Sequence, residues 1–307
     1  MKILILSIVF LSINLMPLYS RGISEMKLVN EQVISLENIN SITIRYTSAK
    51  ITVFQNRSTD SFHLKEYMNE ENSSLFAKIT NSDGNIVIEE GRHFQVFRRL
   101  NRQIEVHIPV SNINFNIRTS SGQIEILDEI MASSVNIISS SGSISFAKNI
   151  KADRVNFGTS SGRINGGWVD GNTVVHTNSG GIDFGIINGD VSARSSSGRI
   201  EIGPVSGMVD INTSSGSIDC TITQNAGNIS ITSTSGRVTL NIPKNTRYNF
   251  SSRTSSGSLR TPFNDILFSP VSDRRSVQGI IEGNENQENR SIIINTTSGS
   301  ININWAD

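Results

Sequence analysis

The chain has 307 residues, with 27 Lys+Arg against 27 Asp+Glu, so its formal charge is zero. A nucleic-acid binder needs a basic excess or patch to neutralise phosphates, and this balance argues against one. The hydrophobic fraction is 36% and the charged fraction 18%, both low, with Ser, Thr, Asn and 24 Gly filling the remainder; disorder driven by net charge is excluded.

The first element in chain order is a short basic start, Met1-Lys2, followed by an apolar run from Ile3 to Leu15 and the small residues Ser20-Arg21-Gly22. This is the pattern of a signal peptide over residues 1–22, cut after Gly22 or alternatively after Ser20. The competing readings are an uncleaved anchor and a buried strand. No later segment is long and apolar enough to span a bilayer as a helix, so no transmembrane span is expected in the mature chain.

Residues 23–112 read as short strands separated by turn signals such as Asp83-Gly84-Asn85. Examples are Ser41-Ile42-Thr43-Ile44, Ile51-Thr52-Val53-Phe54, Ile86-Val87-Ile88 and Ile104-Glu105-Val106-His107-Ile108. They form an all-β region expected to cap the remainder of the chain.

That remainder is a repeat. A Ser/Thr-rich phrase closes on Gly122, Gly142, Gly162, Gly180, Gly198, Gly216, Gly236, Gly257 and Gly299, at steps of 20, 20, 18, 18, 18, 20, 21 and 42 residues. Two residues after each glycine stands Ile124, Ile144, Ile164, Ile182, Ile200, Ile218, Val238, Leu259 or Ile301. Apolar and polar residues alternate on both sides of the phrase, as in a half-buried strand. A third apolar position occurs at Ile130, Ile150, Val169, Ile187 and Val205.

Two strands, a tight corner and a third side in 18–21 residues describe one rung of a parallel β-helix or β-solenoid. About nine such rungs over residues 113–307, stacked at about 4.8 Å, predict a rod on the order of 43 Å long. The glycine suits a corner backbone of positive φ, and the neighbouring hydroxyls can bond to the turn. The Thr or Ser three before each glycine has inward parity, which favours a corner-filling role over an ice-binding hydroxyl face. Residues 258–290, with Pro262, Pro270 and a polar stretch, read as an excursion loop before a last rung that ends near Trp305.

The segment Gln103-Ile104-Glu105-Val106-His107-Ile108-Pro109, the first corner Thr119 to Gly122, and the run of Ser-Gly corners followed by Ile-x-Ile together resemble the bacterial "putative adhesin" family of β-strand-repeat proteins, DUF4097. Val277 to Ile303, with Gly279, Gly283 and Ser298-Gly299, is similar to that family's C-terminal part. The resemblance covers residues 35–305. It implies a β-helical, exported or envelope-associated protein, and it carries no catalytic residues over.

Catalytic signatures are sparse. Gly158-Thr159-Ser160-Ser161-Gly162 matches G-x-S-x-G, but it is in register with sister corners, and an elbow needs a strand-to-helix turn. His63, His93, His107 and His176 share no metal-ligand spacing, and the lone Cys220 sits in an inward ladder as an inert thiol. No cofactor motif occurs.

Three consecutive rungs carry Asp183, Glu201 and Asp219 three residues after the glycine. Stacking would set these carboxylates about 5 Å apart, where like charges raise each other's pKa unless a cation intervenes. They are the candidates for cation or glycan contact, or for acid/base work. Arg199, and Arg163 and Arg237 in the matching position, can instead neutralise a solvated face. Arg92, His93, Arg98, Arg99 and Arg102, interleaved with Phe94 and Phe97, form the one dense basic stretch. Its two readings are an anionic-polymer contact and a solvated strand connection.

These features point to an exported, non-catalytic solenoid in the periplasm, on the surface or secreted, with a glycan, matrix protein or envelope component as partner. The alternatives are a β-helical carbohydrate-active enzyme using the acidic column, and a periplasmic envelope scaffold.

Overall fold

The computed structural model describes residues 26–57, 60–91, 100–110, 112–262, 275–281, 283 and 290–306. The expected signal peptide and the basic cluster Arg92 to Arg99 lie outside these residues. The described chain is all-β, with a single short 3-10 turn at Ser73–Leu75. No helix among the described residues is long and apolar enough to cross a membrane.

The strands stack as layers of a rod built from two main ladders. One ladder takes the strand before each corner, the other the strand after it. Between neighbouring layers the register is residue for residue: Ile117 beside Ile137 beside Phe157 on the first ladder, and Ile124 beside Ile144 beside Ile164 on the second. Period-2 alternation turns these side chains inward, and stacking sets like over like. The inward columns are buried throughout, from Ile42 and Ile44 to Ile301 and Ile303.

Column volume is balanced across layers. Gly166 stands where its neighbours carry Phe146 and Phe184, and both rings lean into the space; a Cβ on Gly166 would lie 2.5 Å from Phe146 and 2.7 Å from Phe184. Phe157 completes the cluster at 5.2 Å from Phe146 and 5.9 Å from Phe184. Cys220 lies fully buried between Ile202 and Leu240, as its inward parity requires.

Two more layers precede the nine with Ser-Gly corners. Ser41–Tyr46 and Lys50–Asn56 pair in parallel with Asn114–Thr119 and Ile124–Ile126. Asn85–Glu89 and Arg102–Pro109 stack in parallel beyond them. The described rod therefore has eleven layers, and ten steps of about 4.8 Å give about 48 Å. The leading region thus continues the ladders before it closes them. Antiparallel strands then finish the edge: Ser61–Met68 on Arg102–Pro109, Lys27–Ser35 on Ser61–Met68, and Lys78–Ser82 on Asn85–Glu89. Such strands blunt an edge that would otherwise template further pairing.

A buried polar cluster pins this cap. The Glu66 carboxylate is fully buried and accepts from Tyr46 Oη at 2.9 Å, Asn30 Nδ2 at 2.7 Å and the Ala77 backbone N–H at 2.7 Å. Arg102 is also buried. It donates to Glu90 at 3.0 Å and to the Leu75 carbonyl at 2.7 Å, with its guanidinium 5.5 Å from the Tyr46 ring centroid. Arg102 therefore belongs to the core of the cap, not to a solvated basic connection.

The far end departs from chain order. The strand Ser291–Thr296, late in the chain, pairs with Ile229–Ser233 on one side and with Tyr248–Thr254 on the other. The layer latest in this sequence is thus tenth, and the Gly257 layer is outermost. Trp305 pairs with Ile242 inside the stack. Tyr248 is buried in the outermost layer, with Arg290 4.5 Å over its ring. Within the predicted excursion, Ser276–Ile281 forms a strand antiparallel to Tyr248–Thr254.

Candidate binding surface

The corners are one structure repeated nine times. The Gly122, Gly142, Gly162, Gly180, Gly198, Gly216, Gly236, Gly257 and Gly299 N–H groups each donate to the Ser or Thr hydroxyl three residues earlier, at 2.8–3.2 Å. Those hydroxyl residues are 1–7% exposed, so they line the core corner as their parity predicts. None of these glycines has the positive φ expected of them. Glycine is needed for close approach instead: a Cβ on Gly198 would sit 1.7 Å from the Gly180 carbonyl oxygen, and the next layers repeat the clash. Positive φ occurs at another corner, at Gly171 and Gly189.

The predicted acidic column forms. Asp183 is in register with Glu201, and Glu201 with Asp219. No cation is needed to hold it, because Arg199 lies 2.9 Å from Glu201 and 3.9 Å from Asp219. Asn241 Nδ2 also donates to Asp219 at 3.2 Å. The pairs are solvent-exposed, where ion pairs contribute little to stability. Among the described residues no group of three or more His, Cys, Asp or Glu is arranged to hold a metal ion.

The remaining reactive candidates stay apart. Burial pushes the Cys220 thiol up to about 12, so it is neither nucleophile nor ligand at neutral pH. His107 stacks on Phe54 at 4.8 Å, and burial with the nearby Lys65 charge lowers its pKa. His63 is its cross-strand neighbour, and His176 stands on the solvent side of a distant layer. Ser160 belongs to a strand-to-strand corner, which rules out the nucleophile-elbow geometry.

An outward feature missed from the sequence lies on the third side. Trp168 is 43% exposed and stands in register with Ile186, itself 37% exposed. Its Nε1 donates to Asp170 Oδ1 at 2.9 Å. Asp170 also accepts from Asn188 at 2.7 Å and Asn149 at 2.9 Å; these hydrogen bonds, led by that from Asn149, hold its pKa below the usual carboxylate value. The signal was present: Val169 is the inward residue of that side, so Trp168 and Asp170 must both point out.

The sequence matches the family described as Toastrack DUF4097 over residues 32–304. No curated protein matches the chain. Solved structures similar to it include a "putative adhesin" from Bacteroides fragilis, 15% identical over 93% of this chain and 100% of that one, with a TM-score of 0.42. Another is a "putative lipid binding protein" from Parabacteroides distasonis, 15% identical over 91% of this chain and 96% of that one, TM-score 0.44. A third is a "putative cell adhesion protein" from Clostridium sporogenes, 8% identical over 92% and 100% of the two chains, TM-score 0.30.

Proposed function

The chain belongs to the Toastrack DUF4097 family, and from that premise we propose that it is a non-catalytic binding module, exported by way of residues 1–22 and acting at the cell envelope as an adhesive or structural element. The observation that carries this reading is the register of the outward residues. Rows of amides, hydroxyls and charges repeat from layer to layer at about 4.8 Å along a stiff rod. Asn116, Asn136 and Asn156 form one such row, linked by side-chain hydrogen bonds of 3.1 and 2.7 Å. A periodic surface of this kind suits an extended partner: a glycan, a matrix protein or another envelope component.

The acidic column favours binding over catalysis, since Arg199 pairs with two of its three members. An acid/base pair needs carboxylates with separated environments and different protonation states, and these share one solvated face. Substituting Asp183→Asn, Glu201→Gln and Asp219→Asn together is expected to leave the folded rod intact and to abolish no polysaccharide cleavage.

The test of location is protease treatment of intact cells, followed by probing membranes, periplasm and medium for the chain. Loss of signal from intact cells supports an outer adhesive role. Protection until the envelope is opened overturns adhesion and supports a periplasmic scaffold. Saturable binding of the purified chain to isolated envelopes, matrix protein or a glycan tests the module reading itself, and no saturable binding to any of them overturns it.

A further inference from the structure

The third side carries two outward rows along the rod. One runs Asn149, Trp168, Ile186 and then Pro204, which precedes the Val205 that pairs with Ile187. The other runs Lys151, Asp170 and Asn188. The buried column Ile150, Val169, Ile187 separates them. Trp168, Ile186 and Pro204 are all exposed, so the first row is an apolar strip three layers long.

The indole is held in place by its bond to Asp170, whose two other donors come from the layers on either side. The backbones of adjacent layers approach closely beside it. A Cβ on Gly167 would lie 2.5 Å from the Ala147 carbonyl oxygen, and one on Gly185 2.5 Å from that of Gly167. Next to Asp170 an open groove of about 510 Å³ is lined by Lys151, Asp153, Asp170 and Asn172, among others. The indole is therefore tied, through Asp170, to a shallow groove of mixed charge that Asp170 helps to line.

We propose that this face binds a β-linked pyranose oligosaccharide, with the Trp168 indole stacking on a sugar ring and the Lys151–Asp153–Asp170–Asn172 groove bonding its hydroxyls. The inference rests on the reading of the chain as a binding module and names the ligand class for one face. An equatorially substituted pyranose has a flat C–H face and a hydroxyl rim, which is the complement of an indole beside carboxylate, ammonium and amide groups. Asp170 stays ionised and accepts from hydroxyls. The layer step of about 4.8 Å is close to the length of one sugar residue, so Trp168, Ile186 and Pro204 fall under successive rings of an extended chain. An acyl chain would need an enclosed apolar cleft, and this groove is open and charged.

The test uses the full chain carrying Trp305→Phe, in which Trp168 is the remaining indole of the two in the sequence. It is titrated with cellohexaose, chitohexaose and the α-linked maltohexaose, read by tryptophan fluorescence and calorimetry. The expected result is saturable quenching with at least one β-linked hexaose and weaker binding of maltohexaose. By calorimetry on the otherwise native chain, Trp168→Ala should weaken that binding at least tenfold and Trp168→Phe only a few-fold, with unchanged circular dichroism and melting. Absence of saturation with both β-linked hexaoses, or equal binding by Trp168→Ala, overturns the proposal. Retained binding of Trp168→Ala to envelopes alongside that failure leaves the binding-module reading standing. Absence of envelope, matrix and hexaose binding together overturns the module reading as well.

Discussion

At a corner, two constraints act on one residue. The Gly198 N–H is buried and has the Ser195 hydroxyl as its partner, while its α-carbon faces the Gly180 carbonyl oxygen. Ser195→Ala leaves that buried donor unsatisfied, at a cost of about 1–3 kcal/mol. Ser195→Thr should be near neutral, because threonine fills the same position before Gly180 and Gly216. Gly198→Ala must displace backbone and is expected to cost at least ~2 kcal/mol, the upper part of the overpacking range. Chemical denaturation of the three variants checks the order. Titrating residues set the acid limb. Burial lowers the His107 pKa from 6.5, so the unfolded chain takes up this proton first as pH falls. The stability it contributes is full above about pH 6.5 and declines below it. Asp128 and Asp170, lowered from 3.8 mainly by hydrogen bonds from Lys148 and Asn149, contribute stability above about pH 4 that is lost on further acidification. Melting temperature against pH should therefore fall in two steps. His107→Phe, which keeps the stack on Phe54, should remove the upper step and spare the lower.

Among elements, the ladder is where sequence and structure agree most closely, and the reason is geometric. A parallel in-register stack copies each inward position into the next layer, so periodicity alone assigns Ile124, Ile144 and Ile164 to one column. The same logic fails where a layer lacks the corner phrase. Tyr46-Thr47-Ser48-Ala49 occupies the place of Thr119-Ser120-Ser121-Gly122, with Tyr46 beside Thr119. Tyr46 sends its hydroxyl to Glu66 instead of capping a glycine, so nothing in the local spelling marked residues 41–56 as a layer. Trp168 is hidden for a related reason: the repeat marks the third side only by its inward residue, and outward positions there share no spelling between layers. Packing along a column is also tested at this scale. Gly166→Val would put methyl groups into the space shared by Phe146 and Phe184 and should cost about 1–3 kcal/mol. Adding Phe184→Leu should recover part of that loss, giving a favourable coupling in a double-mutant cycle. An additive pair would mean that the rings do not share the gap.

For the whole rod, internal layers and end layers should respond differently to the same loss of chain. Each internal layer contacts only its two neighbours, so stability is close to a sum of layer and interface contributions. Residues 181–198 are one complete repeat between Gly180 and Gly198. Deleting them brings Ile164 against Ile200 and Thr177 against Thr213, pairs of the kind found at every interface. The shortened chain should fold with cooperative melting and a modest loss of Tm. Removing residues 291–306 deletes fewer residues, but that layer lies between Ile229–Ser233 and Tyr248–Thr254. The Gly257 layer would lose its parallel partner, and Val238–Pro243 would lose Ile301–Ala306. Repairing the stack requires the Gly257 layer to move inward by one step, although residues 244–247 connect it across the gap left by the missing layer. Its antiparallel partner Ser276–Ile281 would have to move with it. The truncated chain is therefore expected to melt well below the internal deletion, with its outermost strands exchanging amide hydrogens rapidly. Equal melting of the two deletions would show that the inserted layer is not what secures the end of the rod. Chain order explains why such a lock escapes a reading by repeats: a parallel column has the same spelling whichever layer lies next to it.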